Sequence, residues 1–251
     1  MKAYVLAAGY ATRLHPLTLD RPKPLLEVGG QPILSHVARR LATLEGLSEI
    51  VVVTNSRFRQ AIEAWRDTRP VEVMTTVIDD GTQDEATRLG AVGDLALALE
   101  CVPPEGAFVA AAGDAIFDFD LRALQRIFER RRHTLLVVRE ASHDGGPTPY
   151  NEVEVDAEGR VLRFREKPPD ARSGLAAIAL YFFPAEVASL ITRYMAEGGN
   201  PDAPGHFVVW LVEHAPAFAA RFDGRWLDIG THETLAVARR LYAEPEDAPE
   251  G

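Results

Sequence analysis

Short apolar runs alternate with longer amphipathic stretches along this chain. Ala3 to Leu6 and Ile50 to Thr54 read as short buried strands, Val71 to Ile78 as a third, and Phe108 to Ala112 and Thr134 to Arg139 as two more. Apolar runs bounded by turn residues fit strands buried on both faces of a sheet. Between them, Gln31 to Glu45 sets Ile33, Val37, Leu41 and Leu44 on one helical face. Arg57 to Trp65 reads as a second helix, and Arg88 to Glu100 carries a stripe in Leu89, Val92, Leu95 and Leu99. Residues three and four apart share a helix face, so each stripe marks a buried side. Asp79-Asp80-Gly81-Thr82 reads as a turn, and Asp120 suits the N-cap of a helix from Leu121 to Arg132. Strands alternating with helices predict a mainly parallel sheet covered on both faces.

The texture changes from Glu152 onward. Glu152 to Val155 and Arg160 to Phe164 flank Asp156-Ala157-Glu158-Gly159, a hairpin signal. A strand is expected over Ala176 to Phe183, helices over Pro184 to Ala196 and Gly205 to His214, a strand near Arg225 to Asp228, and a final helix over Thr231 to Tyr242. The Gly/Pro-rich stretch His143 to Pro149 is expected to be mobile, and the tail EPEDAPEG to be disordered. No internal repeat is present. The expected fold is one α/β domain with a mixed sheet and a smaller lobe built from the middle of the chain.

Composition narrows the function. A chain of 251 residues can bury one large α/β core, and 47% hydrophobic with 25% charged residues is ordinary for a soluble enzyme. The net charge of −10 argues against a nucleic-acid or anionic-membrane binder. An anionic substrate must then be held by local cations. The single cysteine, Cys101, excludes an intramolecular disulfide, and no Cys/His cluster has zinc-ligand spacing. The first apolar run is too short for a signal peptide, and no stretch is long enough to span a membrane, so the expected place is the cytoplasm.

The candidate chemistry concentrates after the first strand, which empties into Ala7-Ala8-Gly9-Tyr10-Ala11-Thr12-Arg13. Small residues let a ligand approach the main chain, and successive free N–H groups cradle an anion. Arg13 adds a planar cationic fork suited to phosphate, and Lys23 sits between Pro22 and Pro24, which stiffen its backbone. The set looks like a triphosphate cradle. No G-x-G-x-x-G follows the strand, which disfavours a nicotinamide or flavin site. Asp114 ends an apolar strand and Asp228 lies at another predicted strand end, where open α/β sheets place their ligands. Carboxylates there suit Mg²⁺, completed by phosphates and water, although each alone also reads as a turn or cap aspartate.

The segment from Leu6 to Leu34 resembles the signature of the sugar-phosphate nucleotidyltransferases, the NDP-sugar pyrophosphorylases, which include glucose-1-phosphate thymidylyltransferases and mannose-1-phosphate guanylyltransferases. Their pattern is approximately LAAGxGTRLxPLTxxxPKPLxxVxxxPIL, and Ala11 here replaces its second glycine. Gly113-Asp114 is similar to the family's Gly-Asp, Trp226-Leu227-Asp228-Ile229-Gly230-Thr231 to its Trp-x-Asp-x-Gly-Thr, and Phe164-Arg165-Glu166-Lys167-Pro168 to its F-x-E-K-P. The resemblance implies a Rossmann-like three-layer sandwich over residues 1–243, with about 1–140 binding nucleotide and about 141–230 binding sugar phosphate. It implies that Leu6, Ala7, Ala8, Gly9, Ala11, Thr12 and Gly113 bind nucleotide and that Arg13 and Lys23 act in catalysis. By the same resemblance Asp114 and Asp228 hold Mg²⁺, and Asn151, Glu166 and Lys167 bind the sugar phosphate. The substrates would be a nucleoside triphosphate and a sugar-1-phosphate, with no nucleic-acid or membrane partner; a homo-oligomer is left open.

Two stretches depart from the family. Where many relatives carry a Gln and then Pro-x-Gly-Leu-Ala that help read the base, residues 79–91 run DDGTQDEATRLGA, and Ala176-Ala177-Ile178-Ala179 stands where Asn-Ala-Gly is frequent. Tyr150-Asn151 falls where many relatives carry Tyr-Gly. The altered acceptor region leaves open a cytidylyltransferase acting on a non-sugar phosphate or phosphonate. Asp118-Phe119-Asp120 has the form of a glycosyltransferase D-x-D metal motif, although Asp120 is also explained as a helix cap. Against a non-catalytic nucleotide-sensing homologue stands the joint presence of Arg13, Lys23, Asp114, Lys167 and Asp228.

Overall fold

The computed structural model describes residues 1–141, 150–172 and 174–243; the 143–149 stretch and the 244–251 tail lie outside them. The first half runs β1 (Lys2–Leu6), β2 (Glu27–Val28), β3 (Gln31–Pro32), α1 (Ile33–Leu41), β4 (Glu49–Thr54), α2 (Arg59–Asp67), β5 (Met74–Asp79), α3 (Ala91–Cys101), β6 (Phe108–Ala112), β7 (Ala115–Phe117), α4 (Leu121–Arg131) and β8 (Thr134–Glu140). Then follow β9 (Glu152–Val155), β10 (Val161–Arg165), β11 (Leu175–Phe183), α5 (Val187–Ala196), α6 (Pro204–His214), β12 (Ala217–Arg221), β13 (Trp226–Asp228) and α7 (His232–Leu241).

Seven strands form the central sheet in the order β12-β8-β11-β6-β1-β4-β5. Every neighbouring pair is parallel except those of β11, which runs antiparallel to both β6 and β8. This is the mainly parallel mixed sheet that the alternating pattern predicts. Side chains alternate across a strand, so β1 sends Ala3 and Val5 to one face and Tyr4 to the other. On the first face they meet Leu34 and Leu41 of α1, Trp65 of α2 and Phe128 of α4. On the second they meet Leu95 of α3, Ile191 of α5 and Phe207 of α6. Tyr4, Phe108, Phe182 and Phe183 are almost wholly enclosed, each such burial contributing about 1.5–3 kcal/mol. A third cluster, with Leu14, Leu26, Ile33, Ile116, Ile229 and Leu235, seats α7 beneath the loops that follow β1.

Several elements differ from the sequence expectation. The helix expected over 31–45 is only Ile33–Leu41, because Gln31–Pro32 pairs as a strand with Glu27–Val28. The helix expected over 88–100 starts at Ala91, since Gly90 has φ 82 and cannot continue a helix backwards. The third strand begins at Met74 and the helix after β11 at Val187, later than the apolar texture suggests. The strands β7 and β12 were not expected at all; β12 is a short edge strand beside β8. Asp120 caps α4 as expected, accepting from Arg122 N–H at 2.9 Å. The 156–159 hairpin also forms, with Asp156 Oδ1 accepting from the N–H groups of Glu158 and Arg160.

Candidate active site

Hydrogen bonds pin the loop after β1 from below. Ala7 N–H donates to Val53 O, Gly113 N–H to Leu6 O, and the Asn55 side chain to Ala8 O. Gly113 lies so close that a Cβ there would sit 3.0 Å from Leu6 O and 3.1 Å from Ala7 Cβ. Tyr10 turns inward and shares a 2.8 Å hydrogen bond with Thr82 Oγ1. Ala11 adopts a left-handed conformation, φ 50, and its carbonyl accepts from Thr18 Oγ1 and Leu14 N–H. None of the N–H groups from Ala8 to Arg13 has an acceptor among the described residues. A run of free amides around a left-handed residue is an anion-binding concavity.

Two cations and two carboxylates surround this loop. Lys23 opens a one-turn 3₁₀ segment between Pro22 and Pro24 and reaches Asp114 Oδ2 at 2.5 Å. Asp114 precedes β7, and Asp228 ends β13, where it pairs with Ala115 of β7. The ribbon thus sets the two aspartates side by side. Asp228 is open to solvent from the cleft, yet the protein around it raises its pKa, with the Asp114 charge adding to the rise. Lys23, Arg13 and Arg139 act in the opposite direction. Arg139, which the sequence did not single out, stacks over the rings of Tyr150 and Trp226.

These groups line one cleft of about 540 Å³. Of the residues expected to bind or react, Leu6, Ala8, Gly9, Ala11, Thr12, Arg13, Lys23, Asp114, Lys167 and Asp228 face it. Ala7 and Gly113 lie behind it as main-chain supports. Asn151 clasps the main chain of Ala177, donating to its carbonyl at 3.0 Å and accepting from its N–H at 2.6 Å. Glu166 is buried against Gly205 at the start of α6, and this burial raises its pKa. Its carboxylate stays 3.9 Å from the Lys167 ammonium.

Beyond Asn151, β11 shifts register between Ala177 and Tyr181, and Ala179 takes a positive φ of 47 facing the cleft. Opposite it, the start of α3 is latched to the loop before α6. Ala91 and Val92 donate their N–H groups to Asp202 O and Pro201 O. Asp94, in the first turn of α3, also lines the cleft, pushed up to about 8 by burial and by the neighbouring Asp80. An aspartate inside the apolar run Val92 to Leu99 was the signal that could have found it. The D-x-D pair is engaged elsewhere: Asp118 holds the backbone N–H and guanidinium of Arg225, while Asp120 caps α4. Among the described residues no helix is long and apolar enough to cross a membrane.

Comparison with known proteins agrees with this geometry. The chain matches the nucleotidyl transferase family over residues 2–244. It is 28% identical over 240 residues to a UTP–glucose-1-phosphate uridylyltransferase of Synechocystis sp., covering 92% of this chain and 60% of that protein. It is also 28% identical over 244 residues to the mannose-1-phosphate guanylyltransferase catalytic subunit beta of Drosophila pseudoobscura pseudoobscura, covering 96% and 62%. The chain therefore spans about three-fifths of the length of these curated relatives. A solved UDP-glucose pyrophosphorylase bound to UDP-glucose has the same fold, with a TM-score of 0.80 at 17% identity over 96% of this chain and 97% of that one.

Proposed function

Since the chain belongs to the nucleotidyl transferase family, we propose that it condenses a nucleoside triphosphate with a sugar-1-phosphate to give an NDP-sugar and pyrophosphate. One observation carries the reading: an open N–H loop, Arg13, Lys23 and two neighbouring carboxylates converge on one cleft. An oxygen of the sugar phosphate attacks the α-phosphorus. The new P–O bond forms as the bond from the α-phosphorus to the bridging oxygen breaks, and pyrophosphate leaves with that electron pair. A phosphate monoester has its second pKa near about 6, so the attacking group is already a dianion and needs no general base.

The work left to the protein is alignment and charge neutralisation between two anions. The loop amides and Arg13 hold the β- and γ-phosphates and the departing pyrophosphate. Lys23 meets the charge that develops around the α-phosphate. Lys167, exposed on the opposite wall, takes the acceptor phosphate, with Glu166 beside it and Asn151 bracing β11 below its bulge.

Asp114 and Asp228 fit a magnesium ion. The Asp114 charge raises the proton affinity of Asp228, a repulsion that a divalent cation would remove. Among the described residues no group of three or more His, Cys, Asp or Glu could hold a metal. That suits a cation completing its shell with phosphate and water oxygens. When bound, the ion would offset the negative charge of the substrate phosphates.

The test is a matrix of nucleoside triphosphates against sugar-1-phosphates, non-sugar phosphates and phosphonates, read by pyrophosphate release. Release is expected only with a sugar-1-phosphate. Turnover confined to a non-sugar phosphate would replace the acceptor. Sugar transfer from a supplied NDP-sugar without pyrophosphate would refute the reaction class.

A further inference from the structure

Beside the loop after β1, Leu6, Ala8, Val92 and Leu95 give the cleft an apolar slot, with the carboxyl of Asp94 at its edge. The Tyr10–Thr82 hydrogen bond draws the turn after β5 alongside, and with it Asp80. Asp80 and Asp94 are only 9% and 6% exposed. Asp80 Oδ1 accepts from Thr82 N–H at 2.7 Å. The two carboxyls lie within hydrogen-bond reach of each other, yet Asp80 Oδ2 and Asp94 Oδ1 have no donor among the described residues. Two adjacent buried carboxyls that lack other donors are joined by sharing a proton. The Thr82 N–H favours charge on Asp80, so the proton rests on Asp94. Asp94 lines the cleft, so its second carboxyl oxygen, Oδ2, is the acceptor left for a ligand there.

We propose that this proton-sharing pair reads the base of the bound nucleoside triphosphate, selecting guanine, adenine or cytosine against uracil and thymine. The inference rests on the nucleotidyl-transfer reading and deepens it. With the triphosphate on the Ala8–Arg13 loop and the acceptor near Lys167, the apolar slot is left for the flat, apolar base. Adenine, guanine and cytosine each carry an exocyclic amino group that can donate to Asp94 Oδ2. Uracil and thymine offer only an imide N–H flanked by two carbonyl oxygens, which would bring acceptors against a pair of net charge minus one. An unpaired acceptor in a buried slot gives strong discrimination.

The test is calorimetric titration of the unmodified chain with ATP, GTP, CTP, UTP and dTTP, with inorganic triphosphate as a probe of the phosphate loop alone. UTP and dTTP should bind at least tenfold more weakly than the tightest amino-bearing triphosphate. Asp94→Asn can donate its amide N–H to Asp80 and keep an oxygen toward the cleft, so the preference should survive. Asp94→Ala should lose it, with the affinity for inorganic triphosphate unchanged. Equal or tighter binding of UTP or dTTP to the unmodified chain overturns the proposal, as does a folded Asp94→Ala that keeps the preference. Should Asp94→Ala fail to fold, the panel on the unmodified chain decides alone. If the unmodified chain binds neither inorganic triphosphate nor any nucleotide, the nucleotidyl-transfer reading falls and this inference with it.

Discussion

Replacing Lys23 separates two roles that its position combines. Its ammonium lies 2.5 Å from Asp114 Oδ2, with side-chain exposures of 13% and 32%. At that spacing the Coulomb attraction is about 7 kcal/mol for an effective dielectric of about 20. Stripping water from both ions offsets most of this, so Lys23→Gln should lower stability by ~1–3 kcal/mol. During turnover the same ammonium is assigned to charge that grows at the α-phosphate. Loss of one such preorganised contact commonly costs ~2–4 kcal/mol, or about 30- to 1000-fold in kcat. Thermal melts of Lys23→Gln, Asp114→Asn and the double variant isolate the pair energy as a double-mutant cycle. Initial rates of pyrophosphate release at saturating substrates read the second role. If Lys23→Gln melted earlier but kept turnover within about threefold of the parent, Lys23 would be only a counter-ion for Asp114, and the catalytic role would be wrong.

Asp228→Asn should keep the fold, since the side chain is open to solvent, and lose most turnover; undiminished turnover in excess chelator would refute the metal site. Lys167→Ala should weaken the sugar-1-phosphate by at least about tenfold, or ~1.4 kcal/mol, and leave triphosphate binding by calorimetry nearly unchanged; the reverse pattern would move Lys167 to the donor side. Ala11→Gly should raise the melting temperature, because relief of a left-handed alanine outweighs the extra freedom of unfolded glycine by ~0.5–1 kcal/mol; a lower value would mean that the Ala11 methyl packs usefully. Asp94 sits at about 8 in the folded protein and at about 3.9 unfolded. Between those values the native state holds a proton that the unfolded chain lacks, so stability falls as pH rises. Asp94→Asn removes this dependence, and its gain in melting temperature should therefore grow from about pH 5 to about pH 8; a gain flat across that range would contradict the buried pair.

Much of this architecture is legible in the sequence because two periods are strong. Buried runs such as Phe108 to Ala112 and stripes such as Val92, Leu95 and Leu99 give nearly every large element, and Arg13 and Lys23, singled out by their spacing, both line the cleft. What escapes is set by contacts between distant segments. The β7–β13 ribbon aligns Asp114 with Asp228, yet three-residue strands leave no periodic trace. The Lys23–Asp114 bond spans ninety-one positions of chain and follows from neither motif. Ala179 keeps a positive φ without a glycine to announce it. The clasp of Asn151 on the Ala177 main chain and the packing of Glu166 against Gly205 likewise join segments that the motifs do not relate.

The insertion of β11 between β6 and β8 bears on how the protein is made. A ribosome delivers β1, β4, β5 and β6 first, but β6 and β8 cannot be joined until Leu175–Phe183 has left the exit tunnel. Until then each has a bare edge, the kind of surface that recruits other nascent chains. The latch between the start of α3 and Pro201–Asp202 must wait longer still. A message broken in the middle of the gene therefore yields an adhesive fragment rather than a working half.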